Sequence, residues 1–179
     1  MFAAHRKGRA ELISRRGNDF ADQFPEIAAA LLELPDVVLD CELVMLTADG
    51  RPDFERLWRR SRLKRAIWIK RSARTAPACL YAFDLLELEE KDVRTLPLNA
   101  RKAMLKEVIA TVRRIRYTDH IEEQGVVLFR VAEDLGLEGI VAKRADAPYP
   151  RGGRSKDWVK IKTAHGRHDD EERAKWNER

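Results

Sequence analysis

Apolar positions along the chain follow two periodicities, one typical of strands and one typical of helices. Nearly continuous apolar runs or period-2 alternation predict strands at residues 9–14, 37–47, 79–86, 115–118, 138–143 and 158–162. Apolar residues spaced by three and four predict helices at residues 25–34, 54–63, 99–110 and 122–135. The chain of 179 residues is long enough for one sizeable core, and it predicts one domain, with or without a flexible end.

Turn and cap signals set several of these boundaries. Asn99 is predicted to cap the helix that follows it, and Gly136 to end the last helix. The stretch 147–154 is rich in proline and glycine, which favours a turn. We therefore expect the strands on either side of this stretch to lie close together.

The last predicted strand carries two lysines on one face. Period-2 alternation places Trp158, Lys160 and Lys162 on one side and Val159 and Ile161 on the other. Neighbouring lysines repel each other unless an anion lies between them or water screens them. Two interpretations follow: a phosphate-binding face, or an edge strand whose lysines discourage further pairing.

The composition describes a heavily charged globular protein, with 44% hydrophobic and 36% charged residues. No apolar run is long enough to cross a bilayer and the first residues lack a signal segment, so a cytoplasmic protein is expected. The sequence leaves the oligomeric state open, and the monomer is favoured. Cys41 and Cys79 stand alone, which argues against a zinc site or a disulfide framework. Cys41 lies in an apolar run and is predicted to be a buried thiol.

Positive charge is concentrated in one block, although the net charge is only +5. No acidic residue occurs between Glu55 and Asp84, and a polyanion such as nucleic acid would explain the cations there better than a solvated surface helix and loop would. Trp58 and Trp68 could stack on bases, although a core position for at least one of them is favoured. The cations are Arg56, Arg59, Arg60, Arg62, Lys64, Arg65, Lys70, Arg71 and Arg74.

Two carboxylates interrupt the apolar strand at residues 37–47. Asp40 and Glu42 share a face of that strand, where burial without partners would be expensive. They are therefore expected to meet cations, hydrogen-bond donors or a ligand.

Five short phrases occur in a fixed order, and together they resemble a known family. They are Ser14-Arg15 with Gly17 and Asp19, Asp40–Leu43, Tyr81–Leu86, Glu138–Lys143 and Trp158–Lys162. In this order they resemble motifs Ia, III, IIIa, IV and V of the ATP-dependent DNA ligases, and most closely the ligase D of bacterial end joining. The resemblance extends from about Arg9 to Thr163 and implies an α+β fold, an ATP-grasp-like nucleotidyltransferase domain of antiparallel sheets flanked by helices. Cys41 stands where the family usually has glycine.

The resemblance implies roles for individual residues. Lys160 and Lys162 would neutralise the α-phosphate of the nucleotide as catalytic residues, and Glu138 would hold Mg²⁺. Glu42 would act near the ribose and the metal, Phe83 would stack on adenine, and Arg15 would contact the 5′-phosphate at a nick. Lys143 is carried over less firmly, because in a regular strand a residue five positions from Glu138 faces the opposite way. From the basic block, Arg59, Arg60, Arg62, Lys64 and Arg65 are predicted to contact DNA.

The function implied is nick sealing in DNA repair and recombination by AMP transfer, with ATP and Mg²⁺ as cofactors. Nicked duplex DNA and other end-joining proteins would be the partners. The 179 residues contain no Lys-x-Asp-Gly nucleophile motif and no oligonucleotide-binding barrel after Lys162. We therefore expect a partial adenylation domain at residues 1–163, a polar tail at 164–179, and no self-adenylation by this chain. The alternatives are a catalytically inactive module that binds nucleotide or DNA, and a relative acting on RNA, such as an RNA ligase or capping enzyme.

Overall fold

The computed structural model describes residues 1–150 and 155–167, which divide into a first unit, Met1–Thr118, and a second unit that begins at Asp119. The first unit contains β1 (Phe2–Arg6), β2 (Arg9–Ile13), α1 (Pro25–Leu31), β3 (Val37–Val44), α2 (Phe54–Ser61), α3 (Ala66–Thr75), β4 (Cys79–Leu88), β5 (Lys91–Asp92), α4 (Leu98–Val108) and β6 (Ile115–Tyr117). The second contains α5 (Gly125–Asp134), β7 (Gly139–Lys143) and β8 (Trp158–Lys162).

One sheet organises the first unit, with the antiparallel strand order β2-β1-β3-β4-β5. The α+β class with antiparallel sheets and flanking helices is confirmed. One strand pair differs from the expected antiparallel arrangement: β6 pairs with β4 in the parallel direction. Tight turns link the antiparallel neighbours: Lys7 and Gly8, at φ 50° and 77°, join β1 to β2.

The hydrophobic core lies against this sheet. Alternate residues of β3 from Val37 to Leu43 are buried, and so are residues of α1 and α4 such as Ile27 and Leu105. Cys41 is part of this core, and burial raises the pKa of its thiol to about 12. The buried residues of this cluster lie between Ala3 and Ile115, so the core belongs to the first unit.

Several element boundaries differ from those predicted. The strand predicted at residues 37–47 ends at Val44, because the chain turns at residues 47–51, where Gly50 adopts φ 83°. Helix α3 was not predicted, since three cations in ten residues hide its single buried position, Ile69. The strand β4 runs two residues further than expected and forms a hairpin with β5.

Two helix starts were also predicted wrongly. Asn99 is not the cap of α4: the helix begins one residue earlier, at Leu98, with Pro97 at the cap position. Helix α5 begins at Gly125 rather than Glu122, because Glu123 has a φ of 59°, which is incompatible with a right-handed helix. The predicted end at Gly136 is confirmed.

The second unit is built around a hairpin. Strands β7 and β8 pair antiparallel over five residues each, which confirms that the two ends of the 138–162 stretch converge. Part of the predicted turn, residues 151–154, lies outside the described residues, as does the tail from residue 168. The first residues of that tail, 164–167, form a helical turn. None of the helices in the described ranges is long and apolar enough to span a membrane.

Candidate functional site

A carboxylate and two lysines converge on the β7–β8 hairpin. Glu138 Oε1 lies 2.7 Å from Lys160 Nζ and 3.5 Å from Lys162 Nζ. The anion that relieves the repulsion between the two lysines is therefore a side chain of the same hairpin. The hydrogen bond from Lys160, reinforced by the charge of Lys162, holds the pKa of Glu138 below its usual value.

Gly139 explains how Glu138 reaches this face. It has a φ of 154°, and a Cβ there would lie 2.2 Å from the carbonyl oxygen of Ile161, so the backbone at this point requires glycine. The unusual conformation breaks regular alternation at the entry to β7. As a result the Glu138 side chain shares a face with Lys160 and Lys162.

The predicted orientation of Lys143 is wrong for the same reason. Lys143 is paired with Trp158 across the hairpin, and cross-strand partners share a face, so it lies on the side of Lys160 and Lys162. Its ammonium lies 3.5 Å from the centre of the Trp158 ring. Tyr149 packs edge-on against the same indole, with ring centres 5.4 Å apart. The hairpin thus places on one face all four site residues predicted in this unit, Glu138, Lys143, Lys160 and Lys162.

The residues that follow β8 support the backbone at Glu138. Thr163 is buried; its backbone N–H donates to the carbonyl of Glu138 at 3.2 Å and its hydroxyl donates to the carbonyl of Leu137 at 2.5 Å. The hydroxyl also accepts from Gly166 N at 3.2 Å, and a Cβ on Gly166 would lie 1.9 Å from the Glu138 carbonyl oxygen. Sequence reasoning missed both residues. A threonine followed three positions later by glycine was the only signal.

In the first unit, Arg15 and Glu42 line one cavity. Its volume is about 460 Å³, and its wall includes Ser14, Phe54 and Trp58. Arg15 and Glu42 are exposed, and neither makes an ion pair with another described residue. Asp40, two residues before Glu42, is buried, so the two carboxylates differ in their exposure to solvent.

Phe83 occupies a β-bulge. The register between β3 and β4 passes from Asp40–Asp84 to Cys41–Ala82 and so skips Phe83, whose ring is half-buried. Bulges redirect side chains and often lie beside functional sites. Phe83 is not among the described residues that line the Arg15–Glu42 cavity.

The structure divides the basic block into two groups. Three arginines pair with carboxylates: Arg56 with Asp53, Arg59 with Glu55, and Arg60 with Glu26. Arg60 is only 2% exposed, and it also donates to the carbonyl of Gln23 and to the hydroxyl of Ser72. The prediction that Arg60 contacts DNA is therefore wrong, because its guanidinium is a buried link between helices.

The other cations of the block are exposed and have no ion pair within the described part of the chain. They are Arg62, Lys64, Arg65, Lys70, Arg71 and Arg74. The prediction that Trp58 or Trp68 belongs to the core is wrong, since their exposed fractions are 49% and 45%. Each indole carries an arginine over its ring: Arg62 at 4.5 Å from Trp58, and Arg71 at 5.8 Å from Trp68.

The family model described as "ATP dependent DNA ligase domain" matches residues 2–162. The chain belongs to the ATP-dependent DNA ligase family. The match covers both structural units and all five phrases singled out in the sequence. The resemblance inferred from those phrases is therefore confirmed.

Named ligases are among the relatives. The bifunctional non-homologous end joining protein LigD of Bacillus subtilis is 36% identical over 173 residues, which cover 84% of this chain and 28% of that protein. A probable DNA ligase of Streptomyces coelicolor is 34% identical over 165 residues, covering 88% of this chain and 32% of that protein. The chain thus spans about a third or less of these ligases.

A solved structure agrees with the assignment. Mycobacterial DNA ligase D, complexed with ATP and MES, superimposes with a TM-score of 0.68 at 28% identity, covering 90% of this chain and 50% of that one. Sequence and structure comparisons therefore place the chain in the same family.

Glu138 is the carboxylate of the hairpin that bears on Mg²⁺ binding. No group of three or more His, Cys, Asp or Glu residues that could hold a metal occurs in the described ranges. Mg²⁺ is commonly held by one or two carboxylates together with substrate phosphates and water. Glu138 is a partly exposed carboxylate whose lowered pKa keeps it ionised at neutral pH, so it fits that mode of binding rather than a protein cage.

Proposed function

We propose that this chain binds ATP and nicked DNA as the adenylation domain of a DNA ligase that seals nicks in repair and recombination. One observation carries the proposal: in a chain of this family, one hairpin presents Lys160, Lys162 and Glu138 on one face, with Nζ–Oε1 distances of 2.7 and 3.5 Å. This pairing keeps the two ammonium groups close together.

In the proposed site the two lysines exchange Glu138 for the nucleotide. An α-phosphate placed at the hairpin offers them several oxygens, so Lys160 and Lys162 neutralise it and stabilise the charge that develops during phosphoryl transfer. Glu138, released from the lysines, becomes available to hold Mg²⁺ beside the phosphates. When bound, Mg²⁺ supplies further charge neutralisation and orients the phosphates. Lys143, on the same face, adds a further positive charge.

The first unit is proposed to bind the rest of the substrates. The guanidinium of Arg15 suits the two oxygens of a 5′-phosphate at a nick. Glu42 accepts hydrogen bonds from the ribose, and the ring of Phe83 stacks on adenine. Arg59, Arg62, Lys64 and Arg65 follow the DNA backbone, with Arg59 leaving its partner Glu55 to do so. The domain acts as a monomer on nicked duplex, alongside other end-joining proteins.

Nucleotide binding tests the hairpin directly. Lys160→Ala should weaken the retention of ATP in the presence of Mg²⁺ by at least about 10-fold, because a charge-assisted contact to phosphate contributes on the order of 1.5–3 kcal/mol. Lys156→Ala is the matched control, since Lys156 is an exposed lysine of the preceding turn and should leave affinity unchanged. Equal affinity of both variants, measured by calorimetry, would exclude the proposed phosphate site.

Self-adenylation separates the enzyme from a binding module. The 179 residues contain no Lys-x-Asp-Gly motif, so we propose that this chain retains ATP without forming a phosphoramidate. Incubation with radiolabelled ATP and Mg²⁺, followed by denaturing electrophoresis, should leave the band unlabelled. A labelled band would show that some lysine acts as nucleophile and would favour the active enzyme over the inactive nucleotide- or DNA-binding module.

A further inference from the structure

The exposed cations of the basic block occur together with exposed aromatic rings. The end of α2, the connection after it and helix α3 form what we call the α2–α3 surface. Its residues are Trp58, Arg62, Lys64, Arg65, Trp68, Lys70, Arg71 and Arg74. The buried guanidinium of Arg60 ties the two helices together through Ser72, at 2.9 Å. The surface is therefore a fixed part of the first unit.

Its charges have no carboxylate partner in the described part of the chain. Within the described residues these six cations make no ion pair, whereas Arg56, Arg59 and Arg60 all do. Uncompensated positive charge on adjoining elements raises the local potential and attracts a polyanion. Charge alone, however, does not distinguish a paired duplex from a single strand.

The tryptophans supply that distinction. Trp58 and Trp68 keep nearly half of their surface exposed, although indoles are usually well buried. A cavity of about 280 Å³ lies beside Trp68, lined also by Leu63, Arg71, Ser72 and Thr75. An aromatic wall with apolar and hydroxyl neighbours suits a flat heterocycle with a polar edge. In a paired duplex the base faces stack on one another, so only unpaired bases can use such a wall.

We infer that the α2–α3 surface binds unpaired DNA bases by stacking, with Trp68 and Trp58 as platforms and the neighbouring cations as phosphate contacts. The inference rests on the proposed function, in which the substrate is a broken strand, and it extends that function to nicks with an unpaired flap. Base–aromatic stacking tolerates any base, so the preference is for strand state rather than sequence.

Three DNA probes of equal charge test this inference by fluorescence anisotropy: a fully paired nicked duplex, the same nick with a short unpaired flap, and that flap with abasic sugars. The paired probe carries the flap's nucleotides within a longer duplex, so that charge is matched. The base-bearing flap should bind about 5- to 150-fold more tightly than the abasic flap, the range that one stacked base supplies. Equal affinity for the two flaps would overturn the inference.

Variants test whether the difference in affinity between the two flaps comes from stacking on the tryptophan rings. Trp68→Leu should abolish the difference between the flaps, Trp68→Phe should keep part of it, and Ile67→Ala, a change at an exposed neighbour on the same helix, should keep all of it. Lys70→Gln should weaken binding to every probe alike and reduce the salt slope by about one. A flap preference that survives Trp68→Leu overturns the inference, as does tighter binding of an RNA flap.

The outcome is independent of the nucleotide site. Lys160 belongs to the second unit, so ATP retention and flap preference are measured on different residues. Retention of ATP without a flap preference would refute only the α2–α3 inference. A flap preference without ATP retention would refute only the proposed ligase chemistry.

Discussion

Asp84 and Arg101 form an ion pair in which both side chains are fully buried. Arg101 Nε lies 2.7 Å from Oδ1 and Nη2 lies 2.9 Å from Oδ2, while Nη1 donates to the carbonyl of Leu96 at 2.5 Å. Asp84 directly follows Phe83. This bidentate pair therefore fixes the strand at the bulge that sets the direction of the Phe83 ring.

Arg101→Met should lower the free energy of unfolding by about 3–5 kcal/mol, because it leaves the Asp84 carboxylate buried without its partner. Arg94→Met is the control: Arg94 pairs with Asp92 at the surface, where such a pair contributes at most about 1 kcal/mol. Urea titration measures the free energy of unfolding of both variants. Similar losses for the two variants would show that the buried pair has no special role.

Glu138 should titrate below its usual pKa of 4.5, since Lys160 donates to its ionised form. A folded pKa below the unfolded one favours the ionised, folded state above pH 4.5. This stabilisation should disappear as the pH falls through the folded pKa. Carboxyl NMR shifts measure the midpoint, which should rise towards the ordinary value in Lys160→Met.

The control for this titration is Lys156→Met, in which the midpoint should stay where it is in the wild type. An unchanged midpoint in Lys160→Met would show that the contact at 2.7 Å does not persist in solution.

Single residues show what the sequence could reveal about the site. Lys160 and Lys162 could be found because alternation in a short strand fixes their common face. The buried role of Arg60 could not be found, since its partner Glu26 lies 34 positions away and only the packing of α1 against α2 brings them together. Lys143 was assigned to the wrong face because the conformation of Gly139 interrupts the alternation on which the prediction depended.

The hairpin β7–β8 and the turn after it act as one structural element. Gly139 lets the two strands approach, and Thr163 and Gly166 hold the backbone of Glu138 from the other side. The position of the carboxylate therefore depends on residues beyond the last strand.

Gly166→Ala should displace this turn, because the new methyl group would lie 1.9 Å from the Glu138 carbonyl oxygen. We expect a loss of about 1–3 kcal/mol in unfolding free energy, as for other overpacked sites, together with weaker ATP retention. Gly125→Ala is the control, since a Cβ there meets nothing within 4 Å. If Gly166→Ala retained full ATP affinity, the turn would not position Glu138.

Elements whose apolar pattern is uniform could be predicted from the sequence, whereas elements with a mixed pattern could not. Strands β3 and β4 follow from long apolar runs that only a few carboxylates interrupt, and their centres were located correctly. Helix α3 was missed because its sequence is mostly exposed and its amphipathic pattern rests on one buried residue, Ile69. The start of α5 depends on a left-handed glutamate, Glu123, for which the sequence has no clear signal.

At the scale of the whole molecule, the two units differ in their stabilisation. The buried hydrophobic cluster belongs to the first unit, from Ala3 to Ile115. In the second unit the described part consists of one helix, a two-stranded sheet and a short turn, and many of its apolar side chains, such as Val126 and Val141, are exposed. An isolated two-stranded sheet is only marginally stable in water.

The fragment 1–118 should therefore fold alone and unfold cooperatively in urea, whereas the fragment 119–179 should lack a cooperative transition. Circular dichroism with urea titration checks both fragments. A first fragment without a transition would show that its core needs the second unit. The wild-type chain, titrated in parallel, supplies the reference.

The substitution of cysteine for glycine at position 41 has a practical consequence. Thiolates, not thiols, react with maleimides, and the pKa of Cys41 is about 12 in a fully packed site. Cys79, at the first residue of β4, is the other cysteine of the chain and is only half-buried. A fluorophore can thus be attached selectively at Cys79 in the unmodified sequence.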